Sequence, residues 1–438
     1  MGEGVRLLSA QGVSGPAPTA EPAPPPTAAT AVRPLAMPAA RAAERPLLAK
    51  ALSPASLGPL RLRNRIIKTA TYEGMTPHGA PSPALVRHHV ELARGGVGMT
   101  TVAYCAVSPN GRTFAEQMWM REEIVPALAG LAAAVHAEGA AVSLQLGHCG
   151  YFSRNTELPG RRSLGPSRLL NEYGLLAGVP FSREMTSEDL AATAGDFAAA
   201  AERARRAGFD AVEVHLGHGY LLSQFLSPAT NRRKDRYGGS LENRLRFPLE
   251  VLAAVRARIG RDVAVIVKTN LRDGFRGGLE LDEAVEVCGA LERAGVDAIE
   301  LTGGFTSRTP FYLFRGKAPI KEMIEVEKSR LQRFALRWFG RSVIRDYPFE
   351  ELYFLPLARR VRERVRLPLV LLGGCLSSEN LETAMREGFD FVAMGRALIA
   401  DPDLVERMAD GRAERSRCNS CNKCVAEMDR GGVRCVLG

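Results

Sequence analysis

No stretch of these 438 residues stays apolar long enough to cross a membrane. The longest run, Val125 to Val135, falls far short of the roughly 18 residues a span needs. The amino-terminal region also lacks the apolar segment of about 7–15 residues that marks a secretory signal. Aromatic residues make up only 6%, and they never interleave with the basic residues that give the chain its net charge of +10. Those basic residues run through stretches such as Arg203–Arg206 and Arg359–Arg366 in alternation with acids, which reads as solvated helix faces. No GxGxxG dinucleotide fingerprint occurs. Nucleic acid and membrane are therefore not expected as partners, which leaves small molecules; the sequence does not decide whether the chain forms a homo-oligomer.

What is present can build a large core. With 46% hydrophobic residues, 438 residues support one big α/β domain with additions. Residues 1–47 stand apart: the run from Gly15 to Thr30 is rich in Pro and Ala, lacks aromatics and cannot bury apolar surface. Poor in acids and containing Arg, this region also fits a transit peptide. The preferred reading is a disordered extension, or upstream sequence ahead of a start at Met37, with a cytoplasmic body.

From residue 48 to 411, short apolar runs alternate with helical patterns: Arg65–Thr71, Val97–Tyr104, Ala140–Leu146, Ala211–His215, Val263–Asn270, Ala298–Gly304, Pro368–Gly374 and Phe391–Arg396. Runs apolar on both faces read as parallel strands covered by helices, and eight of them favour a (β/α)8 barrel (TIM barrel). Gly208, Gly295 and Gly388 each end a helix just before a strand, and Thr186 to Asp189 has the spacing of a capping box. The long connection over 305–365 is expected to form a lid or insertion.

In such a barrel chemistry gathers at the carboxyl ends of the strands. The fourth run ends in His215-x-x-His218-x-Tyr220, which brings two hydrogen-bond donors and a phenol near one point. That set suits holding a carbonyl oxygen while a proton is delivered beside it. A metal site or satisfied core histidines are the alternatives, but Leu216, Gly217, Gly219 and Leu221 offer no third ligand. Gly373-Gly374 and Gly395-Arg396, after the last two strands, read as a phosphate cradle completed by the helix that opens at Ser377. These features do not distinguish FMN from a sugar phosphate.

The segment from Val212 to Phe247 resembles the signature of the Old Yellow Enzyme family, the flavin-dependent NADH:flavin oxidoreductases. Motifs from about Arg61 to Asp401 follow that family in order. The resemblance implies FMN as cofactor and NAD(P)H as electron donor, with flavin contacts at Ala70, Thr71, Tyr104, Gln145, Lys268, Gly373, Gly374, Gly395 and Arg396. Lys268 stands where many relatives carry Arg, and would act on a reduced flavin as a point charge. Tyr72 takes the place where several relatives hold a Cys or Thr beside the flavin, so no cysteine-based tuning is expected. The implied activity is reduction of an activated alkene. His215 and His218 would bind its carbonyl oxygen, and Tyr220 would supply the α-proton as the catalytic acid. Three alternatives stay open: an oxidising demethylase or dehydrogenase of the trimethylamine-dehydrogenase type, a phosphate-binding aldolase or lyase with Lys268 as a Schiff-base lysine, and a non-catalytic flavin-binding protein.

Four of the 8 cysteines fall in the tail over 412–438, as Cys418-x2-Cys421-x2-Cys424-x10-Cys435. Soft ligands so spaced read as an iron–sulfur cluster (4Fe–4S), a structural zinc site or a metal-free tail in a reducing compartment. The pattern is similar to the cluster motif of 2,4-dienoyl-CoA reductase and trimethylamine dehydrogenase, one residue shorter between the second and third cysteines. The sequence as given ends where their second nucleotide-binding domain would begin, so no electron relay is evident.

Overall fold

Each of the eight apolar runs overlaps a strand, and the strands close on themselves. They are β1 (Ile66–Lys68), β2 (Met99–Ala106), β3 (Ala141–Gly147), β4 (Ala211–Leu216), β5 (Ala264–Asn270), β6 (Ala298–Thr302), β7 (Leu369–Leu372) and β8 (Phe391–Met394). All neighbours pair in parallel, in chain order, and Val392 of β8 lies opposite Ile66 of β1 to complete a barrel. The computed structural model of the chain describes Leu35 and residues 37–437.

Buried apolar residues on both faces of each strand make the barrel possible. Inside, Ile67, Met99, Ala211, Ala264, Ile266, Ala298, Val370, Phe391 and Ala393 form one cluster. An antiparallel hairpin of Ala55–Leu57 and Leu60–Leu62 stoppers the amino end, adding Ala55, Leu57 and Leu62 to it. Outside, helices such as Ser187–Arg206 and Leu241–Ile259 bury Phe197, Phe247 and Val251 in a second, larger shell.

The expected helix boundaries hold. Thr186 caps Ser187–Arg206 by accepting from the Asp189 N–H while the Asp189 carboxylate returns to the Thr186 N–H at 2.7 Å, the reciprocal pairing of a capping box. Gly208, Gly295 and Gly388 all exit in the left-handed region, at φ of 82°, 74° and 80°. A Cβ added at Gly295 would meet no atom within 4 Å. Gly295→Ala should therefore lower stability through the backbone alone, by about 1–2 kcal/mol in chemical denaturation. A loss near zero would mean that the turn relaxes.

Two boundaries differ from expectation. The irregular extension does not reach residue 47, because Ala39–Glu44 and Pro46–Leu52 are helices. Leu48, Ala51 and Leu52 are buried, and Leu47 packs on the same core, which supplies the apolar contact that the Pro/Ala tract lacks. The rest of the 1–47 expectation, residues 1–34 and 36, lies outside the described residues. The insertion is shorter than 305–365, since Leu355–Arg364 is an ordinary barrel helix before β7 with Ala358 and Val361 buried. The remainder carries the helices Ile320–Val326 and Arg330–Val343. The tail over 412–438 folds back: Ser416 donates to Asp401 at 2.6 Å and the Val433 N–H to the Glu73 carbonyl at 2.7 Å.

Candidate active site

Strand register places a buried charge network across the carboxyl half of the barrel. Gln145 lies opposite Glu213, and Lys268 lies opposite both His215 and Glu300. The Lys268 ammonium reaches Glu213 at 3.0 Å, Glu300 at 3.1 Å and the Thr69 hydroxyl at 3.0 Å. Gln145 donates its amide to Glu213 at 2.6 Å, and its carbonyl oxygen makes no hydrogen bond among the described residues. Burial works against the charged Lys268, yet the two carboxylates outweigh it and hold the group above its ordinary range. Burial likewise raises Glu213, opposed by Lys268 and reinforced by Glu300. A Schiff-base lysine needs a depressed pKa and a free amine. Lys268 has neither, which argues against the aldolase reading.

Above this layer β4 delivers the two histidines. The Gly217 N–H donates to Nδ1 of His215 at 3.3 Å, which assigns the proton of a neutral ring to Nε2. His218 stands at φ 55°, a conformation few non-glycine residues adopt. Asn270 holds it there by accepting the His218 N–H at 2.9 Å, and Nε2 of His218 meets the Thr302 hydroxyl at 2.7 Å. Where Thr302 donates, the His218 proton sits on Nδ1 and a second N–H is free; where Thr302 accepts, Nε2 keeps the proton. Burial, with Lys268 adding to it, lowers the pKa of His218 to about 3. Burial, then His218 and Lys268, brings His215 well below its ordinary value. Both rings are neutral at physiological pH.

Tyr220 follows within five residues. Its half-buried ring lies 4.3 Å from His215, centroid to centroid, and meets Tyr104 edge-on at 4.9 Å and Phe152 at 5.1 Å. Burial, with Cys149 and Tyr173 adding to it, raises the phenol far above its usual value, so it keeps its proton. Ala70, Ala103 and Ala106 share one apolar cluster with Tyr104, Trp119 and Tyr220. Small side chains before an aromatic wall, an amide oxygen to spare and a fixed cation are a set that an isoalloxazine ring fits.

The phosphate side is built differently from expectation. Glycine at 373 and 374 answers to packing as well as to any oxyanion: both have positive φ, and a Cβ there would come within 2.7 Å of Phe354 and 2.9 Å of the Glu350 carbonyl. The amino end of Ser378–Arg386 is already occupied, with the Ser378 N–H on the Glu414 carbonyl at 2.9 Å and the Asn380 N–H on the Ser377 hydroxyl at 3.2 Å. The Arg396 guanidinium binds the Phe314 carbonyl and, at 2.5 Å, the Asn422 side chain. Arg315 is the group that sequence reasoning missed. It stacks over Tyr312 at 4.2 Å and Tyr353 at 5.5 Å, beside the Gly373-Gly374 turn, with a buried Nε that has no hydrogen-bond partner among the described residues. Thr302 and Asn270 were missed in their roles on His218 because a polar strand end carries no signature of its partner.

Cys418, Cys421, Cys424 and Cys435 are free thiols that line one small cavity with Arg396 and Asn422. In chemical kind they fit a thiolate-bound metal. Among the described residues, however, no three Cys, His, Asp or Glu side chains are placed to share one ion.

Comparisons with known proteins place the chain among flavin oxidoreductases. The model of the NADH:flavin oxidoreductase / NADH oxidase family matches residues 50–304. The 4,4'-dithiodibutanoate disulfide reductase of Rhodococcus erythropolis is 46% identical over 88% of this chain and 94% of its own length. A metal reductase of Desulforamulus reducens is 35% identical over 85% of this chain, and the chain spans only 50% of that protein. Morphinone reductase in complex with tetrahydroNAD superposes with a TM-score of 0.64 at 26% identity, covering 85% of this chain and 93% of that one.

Proposed function

We propose that this chain, which belongs to the NADH:flavin oxidoreductase / NADH oxidase family, reduces a carbon–carbon double bond conjugated to a carbonyl. It is a flavin oxidoreductase that uses NAD(P)H, and its cofactor is FMN. FMN, when bound, supplies to the β-carbon the hydride it has taken from NAD(P)H. Gln145, Tyr104, Ala70 and Thr71 would border its ring, Lys268 would lend it positive charge, and Gly373, Gly374, Gly395 and Arg396, with Arg315, would surround its phosphate.

The observation that carries the reading is the pair of neutral imidazoles, His215 and His218, beside Tyr220. Two donors can take the carbonyl oxygen together and stabilise the negative charge that grows on it. Tyr220, still protonated, gives its proton to the α-carbon, so the alkene gains one hydride and one proton. A second reading has its own support: the 46% identical relative is named for reducing an organic disulfide. That substrate would take the same two electrons and two protons, break its S–S bond and leave two thiols.

One experiment separates them. The holoenzyme is reduced anaerobically with NADH or NADPH, then mixed with enones, enoyl-CoAs, nitroalkenes and alkyl disulfides while flavin reoxidation is followed. Rapid reoxidation by an alkene supports the proposal; reoxidation by disulfides alone would sink it. The setting we infer is cytoplasmic, where the eight free cysteines stay reduced. The tail thiols are inferred to hold a metal. Burial pushes Cys424 up to about 11, and binding would have to displace that proton. Metal analysis of anaerobically purified protein should find iron with inorganic sulfide, or zinc, bound stoichiometrically and lost in Cys421→Ser. Metal-free protein would remove the idea.

A further inference from the structure

The helix Arg330–Val343 in the insertion turns its apolar side to solvent. Leu331, Phe334, Trp338, Phe339 and Val343 fall at i, i+3, i+7, i+8 and i+12, and they are 57%, 57%, 70%, 59% and 69% exposed. The opposite side is committed. Gly340 is buried, and a Cβ there would come within 3.2 Å of Ile320, so the helix rests on Ile320–Val326. Beside the apolar side runs a line of four arginines, Arg330, Arg333, Arg337 and Arg341, with no acid anywhere in the helix. Arg333 donates to the Glu327 carbonyl at 2.6 Å, while Arg330, Arg337 and Arg341 form no ion pair among the described residues. The acids next door are engaged, with Glu322 on Lys423 at 3.0 Å and Glu325 on Arg430 at 2.8 Å.

We propose that this helix docks the protein on an anionic lipid surface, lying in the plane of the headgroups with its aromatic side inserted. The expected absence of a membrane partner rested on the lack of a spanning segment, and among the described residues no helix is long and apolar enough to span. Lying on a surface needs no such length. It needs an apolar side with Trp and Phe at the acyl boundary and flanking basic residues at the phosphates, and this helix has both. A second copy is the weaker occupant, because pairing helix to helix would supply no acid for the arginines. The docked helix is joined to the active-site rim. Arg154 bonds Gln332 and lies 3.6 Å from Glu327, its guanidinium stacks on Tyr173 at 5.2 Å, and Phe152 touches both Tyr173 and Tyr220.

Full-length holoprotein should co-sediment with vesicles containing phosphatidylglycerol and not with pure phosphatidylcholine. Emission from Trp338 should shift to the blue on binding. Arg337→Gln with Arg341→Gln should weaken binding roughly thirty-fold, added salt should weaken the wild type, and Phe334→Ser with Trp338→Ser should abolish co-sedimentation. Unchanged FMN content and circular dichroism would show that these surface variants remain folded. Absence of sedimentation, equal binding to both lipids, or undiminished binding by the Phe334/Trp338 variant would overturn the proposal. A wild-type dimer that the same variant splits, with no vesicle binding, would overturn it in favour of a second copy.

Discussion

Replacing His215 and His218 together by alanine is expected to cripple alkene reduction while leaving flavin reduction by NAD(P)H largely intact. Loss of one donor to a developing oxyanion costs roughly 10²–10³ in rate, and loss of both should cost more. Binding of phenolic ligands, which need the same donors, should weaken in parallel. His218→Asn is the useful partner variant, because asparagine tolerates the positive φ of 55° that alanine resists. Any part of the alanine defect that comes from backbone strain should then be recovered. Since His218 titrates at about 3 and His215 also lies well below its ordinary value, the wild-type rate should show no inflection from either ring near the usual histidine pKa of about 6.5. Glu213, raised by burial to about 7, can give a step in the same range, so only a step that persists in Glu213→Gln would mean that one ring is charged during turnover. Unchanged turnover in the double variant would remove the carbonyl clamp altogether.

Tyr220→Phe tests the proton. It deletes one hydroxyl and keeps the ring that packs on His215, Tyr104 and Phe152, so stability and the flavin spectrum should hardly move. Reduction by NAD(P)H needs no proton from this group and should persist. The alkene half-reaction should slow by roughly 10²–10⁴, the scale for a positioned general acid. Quinone-like acceptors, which protonate no carbon, should lose less. Equal slowing of all acceptors would make Tyr220 a binding residue. No slowing would assign the proton to water or to His218.

The parts of this protein legible in one dimension are those whose physics is local. A run apolar on both faces is a barrel strand whatever surrounds it, and a helix that ends on glycine before such a run needs only its own backbone geometry. His215, His218 and Tyr220 could be found because three chemical groups within six residues must end up close together. Other features depend on residues distant in the chain. That Thr302 meets His218 follows from β6 reaching the same barrel mouth, and nothing in the sequence around either residue says so. Arg396 was read as free for a phosphate, yet the insertion and the tail bring the Phe314 carbonyl and Asn422 to it. Lys268 lies in the carboxyl half of β5, but the two carboxylates that hold it belong to β4 and β6.

Barrel closure also orders events during synthesis. Arg65, at the edge of β1, bonds the Asp390 carbonyl beside β8 across 325 residues of chain. The cavity rim is then finished by Asn422 and by Val433, which returns to Glu73 just after β1. A nascent chain that has made seven strands therefore has an open sheet edge at both ends and no completed mouth. The mouth is complete only after β8 and the segment reaching Val433 have emerged, and until then the open edges are exposed to pairing with neighbouring chains.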